Sequence, residues 1–231
     1  WRNDGAPYVV TATFDIYRNE TNNDNSMDRR SVLRIEEGTE IQFYPDQGLN
    51  IGNNPNSRWG AMQADGVTFT AFDTTDLWAG LFYDDQAIDD TTINYLKNSV
   101  VEYATNGVRT EGSAPTITNT TFRYNTDGIE SDNNSQPNLS GNTFIENERP
   151  ILVHADDIRG GIYGNSYTNN TKNYIEVVSS HLSEHYNNVD YYWRNDGAPY
   201  VVTATFDIYR NETNNDNSMD RRSVLRIEEG T

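Results

Sequence analysis

Apolar and polar residues alternate in short runs along the chain, and the runs recur instead of lengthening. Residues 32–43 (VLRIEEGTEIQF), 49–52 (LNIG), 66–72 (GVTFTAF) and 78–83 (WAGLFY) alternate or run apolar for a few positions. Gly, Pro, Asn or Asp then interrupts each run, which is the punctuation of short strands, and no 3.6-residue periodicity is found. From Pro115 onward the runs acquire a period. Ile117, Thr121, Phe122, Asn125 and Ile129 are answered 22 residues later by Leu139, Thr143, Phe144, Asn147 and Ile151. A further copy follows at a shift of 23, in which Ile162, Gly164, Asn165, Ser166, Tyr167 and Asn170 answer Leu139, Gly141, Asn142, Thr143, Phe144 and Asn147. Upstream, Tyr95, Ser99 and Val100 precede Ile117, Thr121 and Phe122 by 22.

One turn of a parallel β-solenoid needs about this many residues, because each coil lays short strands on the coils above and below and buries equivalent positions in line. The spacing therefore predicts an all-β chain folded as a right-handed parallel β-helix with coils of about 22 residues. Phe122, Phe144 and Tyr167 are expected to stack as one internal ladder. Asn125, Asn147 and Asn170 are expected to form another, at a tight turn where Asn tolerates left-handed backbone and its amide bonds along the stack.

A much longer repeat encloses this one. Residues 193–231 reproduce residues 1–39 without a change. Independent divergence does not leave 39 residues untouched, so the copy reflects either a recent tandem duplication or a deliberately repeated opening segment. Residues 1–192 are read as one complete β-helix unit, 193–231 as the start of the next, and the chain as an internal fragment of a tandem array. About eight coils at roughly 4.8 Å each would make a unit on the order of 40 Å long.

Composition narrows the chemistry. Hydrophobic residues make up 35% and aromatics 12%, which fits a thin ordered core better than plain disorder. The absence of Cys excludes thiol chemistry. The net charge of −18 makes nucleic acid and anionic lipid poor partners, and no apolar run suits membrane insertion. An acidic surface of this kind stays soluble in salt or attracts cations.

Several motifs in order carry a resemblance: residues 5–10 (GAPYVV), 33–43 (LRIEEGTEIQF), 78–82 (WAGLF) and the Gly141-Asn142-Thr143-Phe144 coil type. Together they resemble the tandem pectate-lyase-like β-helix units of very large secreted bacterial surface proteins. The resemblance covers nearly all of residues 1–192 and implies the same architecture on an extracellular fibre or filament, at the cell surface or secreted. Residues 17–30 (YRNETNNDNSMDRR) depart from the pattern and are expected to form a protruding loop.

Candidate chemistry is sparse. Asp127 beside Asn125 and Thr126, the pair Asp84 and Asp85, and His154 near Asp156 and Asp157 resemble fragments of polygalacturonase-type clusters. The Gly-His-Gly and Arg-x-Lys strings of that pattern are absent, so no catalytic residue and no organic cofactor is assigned. Calcium is the cofactor that the side chains suit. Asn22, Asp24, Ser26 and Asp28 place oxygen ligands at every second position, and Asp84, Asp85, Asp89 and Asp90 crowd one short loop. His181 and His185, four apart in a polar stretch, read as surface residues. Continuous threonine rows for binding ice are not found. The expected function is non-enzymatic: a repeat module of an extracellular fibre or giant adhesin, with identical units as end-to-end partners and a side surface for cell or matrix polysaccharide. The alternative is a carbohydrate-binding or polysaccharide-lyase-like module.

Overall fold

The structure, a computed structural model, describes residues 1–17, 31–52, 59–132, 134–159, 161–178, 181–182, 189–205, 207–208 and 223–231. The strands fall mainly into three long parallel sheets, and the chain visits the first, second and third in turn as it climbs. The first sheet stacks Tyr8–Val10, Glu40–Phe43, Thr68–Ala71, Val100–Glu102, Thr121–Arg123, Thr143–Ile145 and Ser166–Thr168. The second stacks Phe14–Ile16, Gly48–Ile51, Trp78–Tyr83, Ala104–Glu111, Asp127–Asp132, Arg149–His154, Ile175–Val178 and Tyr200–Val202. The third stacks Ser31–Ile35, Gly60–Asp65, Tyr95–Lys97, Thr116–Thr118, Asn138–Ser140 and Ile162–Tyr163. The only helical element among the described residues is a single 3-10 turn, Ala155–Asp157. No helix there is long and apolar enough to cross a membrane.

The expected all-β parallel solenoid is thus the observed fold, with two adjustments to its dimensions. Coils of 21 to 23 residues hold from Val101 through Phe122 and Phe144 to Tyr167. Earlier coils are longer: Phe69 lies 28 residues after Ile41, and Val101 lies 32 after Phe69. The second sheet has seven strands between Phe14 and Val178, so residues 1–192 hold seven levels at that face where eight were expected.

Period-two alternation along each strand sends one set of side chains inward. Ile41, Phe69, Val101, Phe122 and Phe144 make one internal column, all fully buried. Phe122, Phe144 and Tyr167 stack with ring centroids 5.2 and 5.4 Å apart, as expected. A second column holds Leu49, Leu81, Val108, Ile129, Ile151 and Ile175, and a third Ala64, Leu96, Ile117, Leu139 and Ile162. Phe43 stacks on Trp78 at 4.1 Å, and the indole of Trp78 donates to the Glu102 carbonyl at 2.8 Å.

The asparagine ladder forms one corner, between the first and second sheets. Asn147 Oδ1 accepts from both N and Nδ2 of Asn125, at 3.1 and 3.0 Å, while its own Nδ2 donates to Phe122 O and Asn170 Oδ1, each at 3.0 Å. That side chain is saturated, which lets a buried amide cost little. One detail differs from expectation. The left-handed residues are Tyr124, Glu146 and Asn169, with φ of 59°, 54° and 56°, one position before each ladder Asn. The turn thus reverses first, and the Asn follows in position to bond along the axis.

A second correction concerns register. Tyr95 and Val100 were aligned with Ile117 and Phe122, but Leu96 pairs with Ile117 and Val101 with Phe122. A one-residue slip exchanges the two faces of a strand, and burial decides the matter: Leu96 and Val101 are fully buried, Tyr95 and Val100 only partly.

Candidate functional site

The outer face of the second sheet carries a groove of about 410 Å³. Its floor exists because side chains are missing there. Gly48 and Gly80 pair in register, and a Cβ at Gly80, whose φ is +117°, would collide with the Asn106 carbonyl. Ala79 completes the floor, and Thr13, Asp46, Asn50, Phe82, Asn106 and Arg109 rise around it. Several of these are held by the neighbouring coil. Asn50 Nδ2 donates to Asp15 Oδ1 at 2.7 Å, and Gln47 Oε1 accepts from the Thr13 N–H at 2.7 Å. The Arg109 guanidinium lies 5.2 Å from the centre of the Phe82 ring, and its Nη2 is 3.4 Å from Glu111 Oε2. Asn106 donates to Glu130. An aromatic edge, one arginine and fixed amides around an open trough suit the hydroxyls and ring faces of a sugar chain.

Further up the same face the charges neutralise one another. Asp127, only 5% exposed, receives two bonds from Arg149, at 2.5 and 2.8 Å, and Arg149 also reaches Glu176 at 3.1 Å. The bonds that it donates to Asp127 are the main reason that the Arg149 guanidinium is held above its ordinary value. Both oxygens of that carboxylate are thus occupied by one guanidinium. His154 Nε2 lies 3.3 Å from Asp132 Oδ1, so its carboxylate neighbour comes from the coil below. Asp157 turns inward from the 3-10 turn and accepts from Ser131 Oγ at 3.1 Å. Burial first, and then Asp156, push its carboxyl up to about 8.

Three of the four aspartates of the proposed calcium loop accept backbone N–H groups. Asp84 caps its own turn by accepting from the Gln86 N–H at 2.8 Å, and Asp90 accepts from the Thr92 N–H at 2.9 Å. Asp89 accepts from the Ala114 N–H at 2.7 Å. Among the described residues no group of three or more His, Asp or Glu side chains is arranged to hold a metal ion, so Asp84, Asp85, Asp89 and Asp90 are not brought together as ligands. Asn22, Asp24, Ser26, Asp28 and His185 lie outside the described residues, as does most of the 17–30 insertion.

Sequence reasoning missed a second corner column, between the third and first sheets. Thr120 N donates to Asn142 Oδ1 at 3.0 Å, Asn142 N to Asn165 Oδ1 at 2.8 Å, and Asn165 N to Asp196 Oδ1 at 2.9 Å. The Gly141-Asn142 and Gly164-Asn165 pairs held the signal, but Thr120 below and Asp196 above break the residue identity.

The end of the unit is the other notable surface. Tyr200–Val202 pairs with Ile175–Val178, Asp207–Ile208 with His181–Leu182, and Ser223–Ile227 with Val189–Trp193, all in parallel. The opening segment keeps its local form in both copies. Asn3 N bonds Glu36 Oε2 and Asn195 N bonds Glu228 Oε2, each at 3.0 Å.

Stacked parallel coils of this kind define a β-solenoid. The family model for a right-handed β-helix region matches residues 60–213, and the chain belongs to that family. The match runs past Trp193 into the second copy. Searches of the curated proteins and of the solved structures returned no match.

Proposed function

We propose that the chain is a structural repeat module of an extracellular fibre or giant adhesin, extended end to end and non-enzymatic. The observation that carries this reading is the cover on the last coil: the strands seated on residues 175–193 come from a second copy of the unit's own opening. An uncovered solenoid end offers unpaired N–H and C=O groups, and a rod made of identical units satisfies them by repetition. The grip of Arg149 on Asp127 supports the non-enzymatic part. X-ray scattering from chains of one, two and three units tests the proposal. Each added unit should lengthen a rod by roughly 35 Å, from seven levels at about 4.8 Å. A maximum dimension that grows without a rod-like profile, or not at all, would sink it.

The groove favours one addition, that the side surface contacts polysaccharide. Titration calorimetry with neutral and acidic oligosaccharides, repeated on Arg109→Ala, tests this. Weak binding lost in the variant is expected, and equal heats from both proteins would end the idea.

A further inference from the structure

Three of the large apolar side chains left exposed share one corner of the solenoid, between the first and second sheets. On four successive levels the residue that follows a first-sheet strand is aromatic: Tyr44 after Glu40–Phe43, Phe72 after Thr68–Ala71, Tyr103 after Val100–Glu102 and Tyr124 after Thr121–Arg123. Tyr44, Phe72 and Tyr124 are 40, 51 and 39% exposed. The rings form two pairs along the axis, Tyr44 with Phe72 at 4.9 Å and Tyr103 with Tyr124 at 5.0 Å between centroids.

Local backbone preference does not call for these rings. Tyr103 and Tyr124 hold left-handed backbone, with φ of 58° and 59°. Asn fills that conformation with less strain, and Asn169 does so two levels above Tyr124. A bulky ring such as that of Tyr124, held at this turn and left exposed, points to a contact surface. The groove adjoins it: Asp46, two residues after Tyr44, and Thr105, two after Tyr103, both line the trough.

Charge narrows what such a surface can hold. Arg109 and Arg123 stand beside it, and each already faces carboxylates. Arg109 lies 3.4 Å from Glu111 and 4.0 Å from Glu130, and Arg123 Nε donates to Glu102 at 2.5 Å. Asp15 and Asp46 add negative charge at the groove, and Asp73 adds it beside Phe72, where bonds from Thr75 hold its carboxyl below the usual range. A uronate or a sulfate would meet like charge here. The hydroxyls and C–H faces of an uncharged sugar would meet amides, carboxylates and aromatic rings.

From these observations we propose that the ligand of the groove is an uncharged polysaccharide lying along the solenoid axis, with its sugar rings on the corner aromatics and its hydroxyls on the groove wall. The proposal rests on the polysaccharide reading given above and adds the ligand's class and path. Four corner levels at roughly 4.8 Å make a track of about 14 Å. On the next level Glu146 takes the corner and bonds the Tyr124 hydroxyl, so the track ends there.

Titration calorimetry on the full chain tests this, with neutral hexasaccharides built on glucose, mannose, xylose or N-acetylglucosamine, and hexagalacturonate, as probes. At low salt at least one neutral probe should bind roughly tenfold tighter than hexagalacturonate. Phe72→Ala with Tyr124→Asn removes two rings, and Asn suits the left-handed turn, so this variant should fold and bind that probe roughly tenfold more weakly. Tyr44→Ala, at the other end of the track, gives the same test should the double variant fail to fold. Tyr163→Ala, which removes an exposed ring from the third sheet, should bind like the parent. Hexagalacturonate bound as tightly as the neutral probes overturns the ligand class, and neutral binding that survives the loss of the corner rings overturns the path; each leaves the groove reading standing. Heat from no probe at all sinks both.

Discussion

Replacing Asp157 with Asn isolates the cost of one ionisable group inside the solenoid. Asp157 is 5% exposed, one carboxylate oxygen accepts from Ser131, and the other has no hydrogen-bond partner. Burial, with Asp156 and Asp132 adding smaller pushes, raises the folded carboxyl from 3.8 to about 8. Between those values the unfolded chain has released a proton that the folded chain keeps, so the folded state binds more protons and stability falls as pH rises. The loss is absent below about pH 4 and complete above about pH 8. A rise from 3.8 to about 8, at about 1.4 kcal/mol for each step of one, sets a ceiling near 6 kcal/mol, with local relaxation reducing it. Asn has the same shape and no charge. Urea unfolding followed by tryptophan fluorescence should find Asp157→Asn within about 1 kcal/mol of the parent at pH 4.5 and about 3–5 kcal/mol more stable at pH 9. A gap between the two proteins that does not change with pH would refute the reasoning.

Three other outcomes are expected. Asn147→Ala strands the Asn125 N–H and the Phe122 carbonyl and should lower unfolding free energy by about 3 kcal/mol, measured by denaturant titration. Arg149→Leu leaves Asp127 and Glu176 without their shared cation and should cost about 3–5 kcal/mol at pH 7, with Asp127→Asn in the same chain recovering part of it. Deleting residues 193–231 bares the edge of Ile175–Val178 and should lower the melting temperature in calorimetry; an unchanged melt would mean that the second copy does not cover that edge.

The upper coils were legible because each face there repeats like with like. Phe122, Phe144 and Tyr167, and Asn125, Asn147 and Asn170, stand at one spacing in sequence and one column in space. The slip at Tyr95 arose from matching Ser99 to Thr121 by residue type. Ser99 corresponds to Thr120: both hydroxyls bond the carbonyl two residues back, Ser99 to Lys97 at 2.6 Å and Thr120 to Thr118 at 3.1 Å. Inside the tube, Thr110, Ser131 and Asp157 were not read as core because polar residues in alternating strands normally face water. They are buried because they bond one another, and no one-dimensional pattern shows that. The groove escaped for a related reason, since a floor of Gly48, Ala79 and Gly80 is built from two adjacent coils and is visible only once the register is known.

Hydrogen bonds between coils lie along the solenoid axis, so a pull on the two ends of such a solenoid loads them in tension and not in shear. The three sheets share that load, and the two corner columns add to them in the upper coils. Sharing is least even where the third sheet narrows to the two pairs joining Leu139 and Ser140 to Ile162 and Tyr163, and where only His181 and Leu182 meet Asp207 and Ile208. Overload should part the rod near the junction between copies before it opens the Phe122–Phe144 coils. A coil detached there leaves its neighbour intact as a template, so a solenoid of joined units would stretch in unit steps and close again when the force is released.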